Sequence, residues 1–145
     1  LERDKIPVFV RGGAFIPRID PIGTTDLYSL SNFDVHFYFD KEVASSNGKI
    51  YNDDGKSPNT FEKDRYELIH FESKIKKKDI SIHVNYKVGL NYKRKTKHMR
   101  FITHNLETSP KKVLVDSKKV DFSFRNNQLQ MNIVLNKKNT IKLCF

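Results

Sequence analysis

Two adjacent carboxylates, Asp53 and Asp54, are the first residues in this chain whose types suggest chemistry. Double-displacement hydrolysis uses two carboxyl groups about 5–5.5 Å apart, one as nucleophile and one as acid and base. Neighbours in an extended segment point to opposite faces, so adjacent residues are a poor pair to converge on one substrate. Gly55 follows them, and the three read better as a turn: Asp53 closes a strand, Asp54 bonds local backbone and Gly55 takes a positive φ. A single Asp pair also supplies too few of the roughly 6–8 oxygens that calcium needs. No catalytic role is assigned to either aspartate.

The remaining candidates are weaker. Five histidines and one cysteine are scattered without zinc-site spacing, so neither metal nor cofactor is expected. Cys144 has no partner for an internal disulfide and reads as a small strand residue. Arg11, Gly12 and Gly13 follow an apolar run. Arg11 reads either as an exposed arginine at a strand end or as a guanidinium held by a carboxylate or carbonyl across a domain interface, where its planar fork gives orientation. Basic clusters at 76–78, 93–95, 111–112, 118–119 and 137–138 could neutralise phosphates. Most of them coincide with expected turns or strand approaches, where charge keeps a β protein soluble and blocks edge pairing. Stacking aromatics interleaved with the charges are nearly absent, apart from Tyr92. Nucleic acid is therefore not the expected partner.

The elements that would position these residues alternate with period two, and no helical stripe interrupts them. Around a turn at Lys77-Lys78, Ile75 lies opposite Ile80, Ser73 opposite Ile82, Phe71 opposite Val84 and Ile69 opposite Tyr86, giving one apolar face. The opposite face carries His70, Glu72 and His83; without a third good ligand it reads as solvated. A one-residue slip would mix the faces, so the register is specified. Downstream, a turn at Ser117-Lys118 sets Val115 against Val120 and Val113 against Phe122. A turn at Asn126-Asn127 sets Phe124 against Leu129, Phe122 against Met131 and Val120 against Ile133. A loop over residues 136–140 then returns Leu135 to Ile141 and Ile133 to Leu143, so four strands make a meander with one shared apolar face. Further strands are expected through Phe33, Val35, Phe37 and Phe39 and through Met99, Phe101 and Thr103. Residues 6–17 read as a strand buried on both faces, residues 18–32 as a loop, and residues 57–63 as one short helical turn. Several one-faced strands are best covered by a second sheet, so the expected fold is all-β: an antiparallel, jelly-roll-like β-sandwich.

Size and charge set the limits. The chain has 145 residues, enough for one core but not for a barrel of about 250 residues as well. No apolar run approaches the roughly 20 residues of a membrane span, so a soluble chain without a membrane partner is expected. Its first residues have neither a secretory signal nor an initiating Met, as in a processed or excised piece. Localisation stays open, with periplasmic and extracellular settings both compatible. The net charge of +10 is uneven: residues 1–64 carry −3 and residues 65–145 carry +13.

Two segments carry a family resemblance. Residues 6–17, IPVFVRGGAFIP, resemble the strand-glycine-strand segment after the catalytic barrel of family 31 glycoside hydrolases. Residues 28–55, ending in Tyr51, Asn52, Asp53, Asp54 and Gly55, resemble the passage into the distal C-terminal β-domain, which ends in an aromatic residue and an Asp-Asp-Gly turn. Asn52 stands where the family often has Glu or another residue, a departure of little weight. The resemblance implies that residues 1–32 end a proximal C-terminal β-domain and its connecting loop, while residues 33–145 form the distal sandwich. It also implies a parent enzyme that is a retaining hydrolase of α-linked glucosides or α-xylosides, with both catalytic carboxylates on the barrel and none in this chain. The expected partner is that barrel, and the expected role is structural support. A rival reading is a carbohydrate-binding module for an α-glucan or oligosaccharide, presented by exposed Tyr38, Tyr51, Tyr66 and Tyr92; the absence of Trp weighs against it.

Overall fold

The computed structural model describes residues 6, 8–77 and 79–145. Eleven strands form among them: β1 (Phe15–Arg18), β2 (Asn32–Tyr38), β3 (Ser45–Asn52), β4 (Glu67–Lys76), β5 (Asp79–Val88), β6 (Lys97–His104), β7 (Lys112–Val115), β8 (Lys118–Val120), β9 (Ser123–Arg125), β10 (Gln128–Leu135) and β11 (Lys138–Cys144). They make a five-stranded sheet in the order β1-β2-β6-β10-β9 and a six-stranded sheet in the order β3-β4-β5-β11-β7-β8. Every pairing is antiparallel except β2 with β6, which run parallel. The fold is the all-β sandwich that the alternation called for.

The core lies between the sheets. Val35, Phe37, Met99, Phe101 and Met131 of the first sheet meet Ile69, Phe71, Ile82, Val84 and Ile141 of the second. Each fully buried side chain of this size stabilises by about 1.5–3 kcal/mol relative to exposure. Phe15 stacks on both Phe37 and Phe71, at centroid distances of 4.6 and 5.4 Å, and ties the sheets together at one edge.

The β4–β5 hairpin has the expected register, with Ile75 opposite Ile80 and Phe71 opposite Val84; Lys78 of its turn lies outside the described residues. Three downstream expectations are corrected. The β7–β8 turn falls on Asp116 and Ser117, which take φ values of 51° and 68°, so Val113 rather than Val115 lies opposite Val120. The Asp116 carboxylate accepts hydrogen bonds from Asn139 Nδ2 and the Thr140 amide, both at 2.7 Å, and this anchor selects the turn. Phe124 does oppose Leu129, but that pairing stops at Ser123, because β8 belongs to one sheet and β9 to the other. Likewise β10 and β11 are not a hairpin: β10 lies between β6 and β9, and β11 between β5 and β7. Leu135 and Ile141 share a core without sharing a sheet. Alternation specifies which face is apolar; a facing sheet covers that face as well as an adjoining strand does.

The N-terminal expectation also changes. Among the described residues of 6–17, the part from Phe15 onward is a strand, and it pairs with β2 at the sheet edge. Ile6, Val8 and Phe9 are 88%, 80% and 92% exposed and carry no ladder, so the doubly buried strand is not formed there. β1 lies on the N-terminal side of the division expected at residue 32 yet is hydrogen-bonded to the sandwich. Residues 57–63 hold one short turn of helical type, closed by the Lys63 amide donating to the Asn59 carbonyl at 3.1 Å, and Asn59 at φ 56° and Asp64 at φ 51° keep it from extending. The one 3₁₀ turn among the described residues, Thr25–Leu27, sits in the expected loop.

Candidate functional site

Polar chemistry gathers at the end of the sandwich where β3 stops and β4, β2 and β6 begin. Glu67 occupies an inward position of β4, in phase with Ile69 and Phe71, and is fully buried. Lys97 is in phase with Met99 and Phe101 on β6 and is 2% exposed. The two form an ion pair that bridges the sheets. Asn52, opposite Glu67 on β3, donates from Nδ2 to Glu67 Oε1 at 2.7 Å and meets the Tyr92 hydroxyl at 2.8 Å. Tyr92 also donates to Glu67 Oε1 at 3.3 Å. Glu67 Oε2 is buried and has no hydrogen-bond partner within the protein. Burying two charges is tolerable only when they are paired and hydrogen-bonded, which these are.

Residues 89–96 close this end. Gly89 donates to the Tyr66 carbonyl at 2.8 Å and Asn91 to that of Asp64 at 2.9 Å, clamping the preceding loop. Arg94 lies 4.2 Å over the Tyr86 ring and donates to the Leu135 carbonyl at 2.7 Å. Burial pushes the Tyr86 phenol up to about 12, against the opposing pull of Arg94. A cleft of about 370 Å³ opens beside the polar cluster, walled by Tyr28, Asn52, Asp53, Tyr92, Lys95 and Lys97, among others. The phenols of Tyr28 and Tyr92 are both raised, first by burial and then by the negative charges of Asp53 and Glu67.

The residues singled out in the sequence take the following places. Asp53 accepts from the Gly55 amide at 2.8 Å and from the Thr60 hydroxyl at 2.6 Å. Asp54 accepts from the Lys56 and Ser57 amides and the Ser57 hydroxyl, which hold its carboxyl down at about 2, and Gly55 has φ 67°. Arg11 is exposed, and its carbonyl accepts from Ala14 in the turn through Gly12 and Gly13. A Cβ at Gly12 would lie 2.3 Å from an Asp40 carboxyl oxygen; Gly13 has φ 78° and donates to the Tyr38 carbonyl at 2.7 Å. The His83 ring lies 3.3 Å from the Thr140 hydroxyl, while His70 sits opposite Asn85. The four tyrosines of the carbohydrate-binding reading do not form an exposed platform. Tyr66 is 3% exposed and stacked by Tyr51 and Phe61, Tyr38 stacks on His104, and the Tyr92 hydroxyl is tied to the buried network. Tyr51 remains exposed.

A second cluster lies on the outer face of the five-stranded sheet. His36 Nδ1 and His104 Nε2 are 2.8 Å apart, and Arg100 is paired with Asp34 beside them. Both imidazoles are shifted down, first by burial and, for His36, next by His104. The sequence reading missed Glu67, Lys97 and this histidine pair. The signal for the first two was present, since both stand at core positions in the alternation. The histidine pair depends on the parallel alignment of β2 with β6, which alternation does not encode.

No family model matches this sequence, nor does any curated protein. Solved structures do match. The GH31 dextranase of Flavobacterium johnsoniae, complexed with glucose, superimposes at a TM-score of 0.79 and 19% identity, covering 96% of this chain and 20% of the dextranase. A mutant of that dextranase complexed with isomaltotriose gives the same values. This chain has the fold of a segment of a GH31 enzyme. The alpha-1,4-glucan lyase of Gracilariopsis lemaneiformis matches at a TM-score of 0.69 and 13% identity, over 96% of this chain and 16% of the lyase. The GH31-like sandwich thus spans about one fifth or less of the length of these relatives.

Proposed function

We propose that the chain is a non-catalytic C-terminal β-region of a family 31 glycoside hydrolase and braces the catalytic barrel of a longer polypeptide. The observation that carries this reading is the match of nearly the whole fold to one fifth of a GH31 dextranase. It agrees with the resemblance carried by residues 6–17 and 28–55. The carboxylates support a bracing role: Asp53 and Asp54 are held in the turn by local hydrogen bonds, and Glu67 is buried against Lys97. In this reading Gly12, Gly13 and the exposed apolar residues Val8 and Phe9 form the approach to the neighbouring domain, with Arg11 on its surface. The finer reading is a parent that hydrolyses α-linked glucosides or α-xylosides with retention, its two carboxylates lying elsewhere. The purified chain is expected to release no nitrophenol from a nitrophenyl α-glucoside; release that scales with chain concentration would overturn the non-catalytic assignment.

A further inference from the structure

The cleft beside the buried polar cluster has the features of a small binding site. Its volume of about 370 Å³ is near the lower end of ligand pockets, which begin at roughly 300 Å³. Asn52 and Lys97 in its wall are 6% and 2% exposed, so their positions are set by the core rather than by solvent. Glu67, behind them, bonds Asn52, Tyr92 and Lys97 at once and holds all three in place. Such support is what distinguishes a built wall from a chance surface hollow.

The charge distribution selects the class of ligand. Asp53 and Glu67 make the potential negative around Tyr28 and Tyr92, while on the exposed rim Arg65, Lys93 and Lys95 outweigh the single carboxylate of Asp54. Lys97 is neutralised by Glu67. A net anion would meet the carboxylates within the cleft, and a net cation would meet the rim. Hydroxyl groups both donate and accept, so a neutral polyol can satisfy both zones. Tyr28 is 41% exposed and adds an aromatic surface for an apolar C–H face. We propose that this cleft binds a neutral polyhydroxylated ligand the size of one pyranose ring, with Tyr28, Asn52, Asp53 and Tyr92 as contacts and Glu67 as a positioning residue. This goes beyond the bracing role and does not depend on the parent's reaction.

The test titrates the whole chain with D-glucose, and separately with inorganic phosphate, up to about 100 mM, in the range of weak complexes. With no Trp and six Tyr, tyrosine emission reports binding directly, and calorimetry checks it. A saturable response to glucose is expected, with phosphate at least tenfold weaker. Tyr28→Ala should weaken glucose binding at least tenfold while leaving the far-ultraviolet circular dichroism unchanged, and Val134→Ala, exposed on β10 and outside the cleft, should leave it intact. No saturable glucose response, phosphate binding as tight as glucose, or equal binding by the Tyr28→Ala chain would each overturn the proposal. The nitrophenol assay is blind to this binding, so the two readings fail separately.

Discussion

At one end of the sandwich the chain turns on residues that hold themselves in place. Lys77, Asn105, Asn126 and Asn127 all take left-handed φ values between 50° and 62°, and Gly13 takes 78°. At the other end, residues 53–66 and 89–96 are long loops that cannot be specified by one or two backbone angles. They are held from beneath by the Glu67–Lys97 pair, by Asn52 and Tyr92, and by the stack of Arg94 on Tyr86. The difference teaches that a short turn is written in its own residues, whereas a long loop borrows its shape from buried polar groups of the core. Substitutions at the two ends should therefore differ in size.

The largest effect is expected at the buried pair. Glu67→Ala leaves the Lys97 ammonium buried without a counter-charge and should cost about 3–5 kcal/mol in urea unfolding. Combining Glu67→Leu with Lys97→Met should recover much of that loss, because no charge is then stranded; a double variant less stable than the single one would break the comparison. Next comes Gly89→Ala, whose Cβ would lie 2.3 Å from the Asp64 carbonyl oxygen and force the two loops apart. A loss of about 1–3 kcal/mol in chemical denaturation is expected, as for other overpacked sites. At the far end, Asn127→Ala must keep a φ of 59° with a residue that tolerates it poorly, for about 1 kcal/mol. Asn127→Gly should be close to neutral by the same measurement.

The smallest effects are in pH, and they separate the two clusters. His36 and His104 have folded-state pKa values below the ordinary 6.5, so the unfolded chain takes up protons first as pH falls. Their contribution is complete above about 6.5 and is lost as pH drops from there through their folded values. Asp54, held at about 2 against an ordinary 3.8, contributes above 3.8 and stops contributing as pH falls through about 2. Melting temperatures followed from pH 8 to pH 2 should thus show two separate declines, both small because these groups are largely solvent-screened. Replacing both histidines with Asn should flatten only the upper one. Loss of the upper decline in an Asp54→Asn chain instead would reverse the assignment.

Much of this fold was legible in the sequence because an alternating strand reveals its apolar face residue by residue, as Ile69, Phe71 and Ser73 do against Ile80, Ile82 and Val84. The path of the second half was not. Residues 112–145 point the same side chains inward whether consecutive strands adjoin or face each other, and only the crossing at Asp121 and Phe122 decides. The candidate site was half legible. Glu67 and Lys97 stand in phase with core residues, and a charge there calls for a partner; which partner depends on the opposite sheet, 30 residues away in the chain. The Asp53–Gly55 turn is local and needed no such knowledge.

The parallel pairing of β2 with β6 also bears on the order of assembly. β3, β4 and β5 lie between these strands in the chain and zip as consecutive antiparallel neighbours, whereas β2 must wait for all three before β6 can reach it. Closing so long a loop costs entropy before any contact offsets it, and a preformed hairpin block shortens the loop that remains. Folding should then nucleate in β4 and β5 and complete the five-stranded sheet late: Val84→Ala is expected to slow refolding, and Val35→Ala mainly to speed unfolding. On this order the seam between β2 and β6 should be the last joint to form.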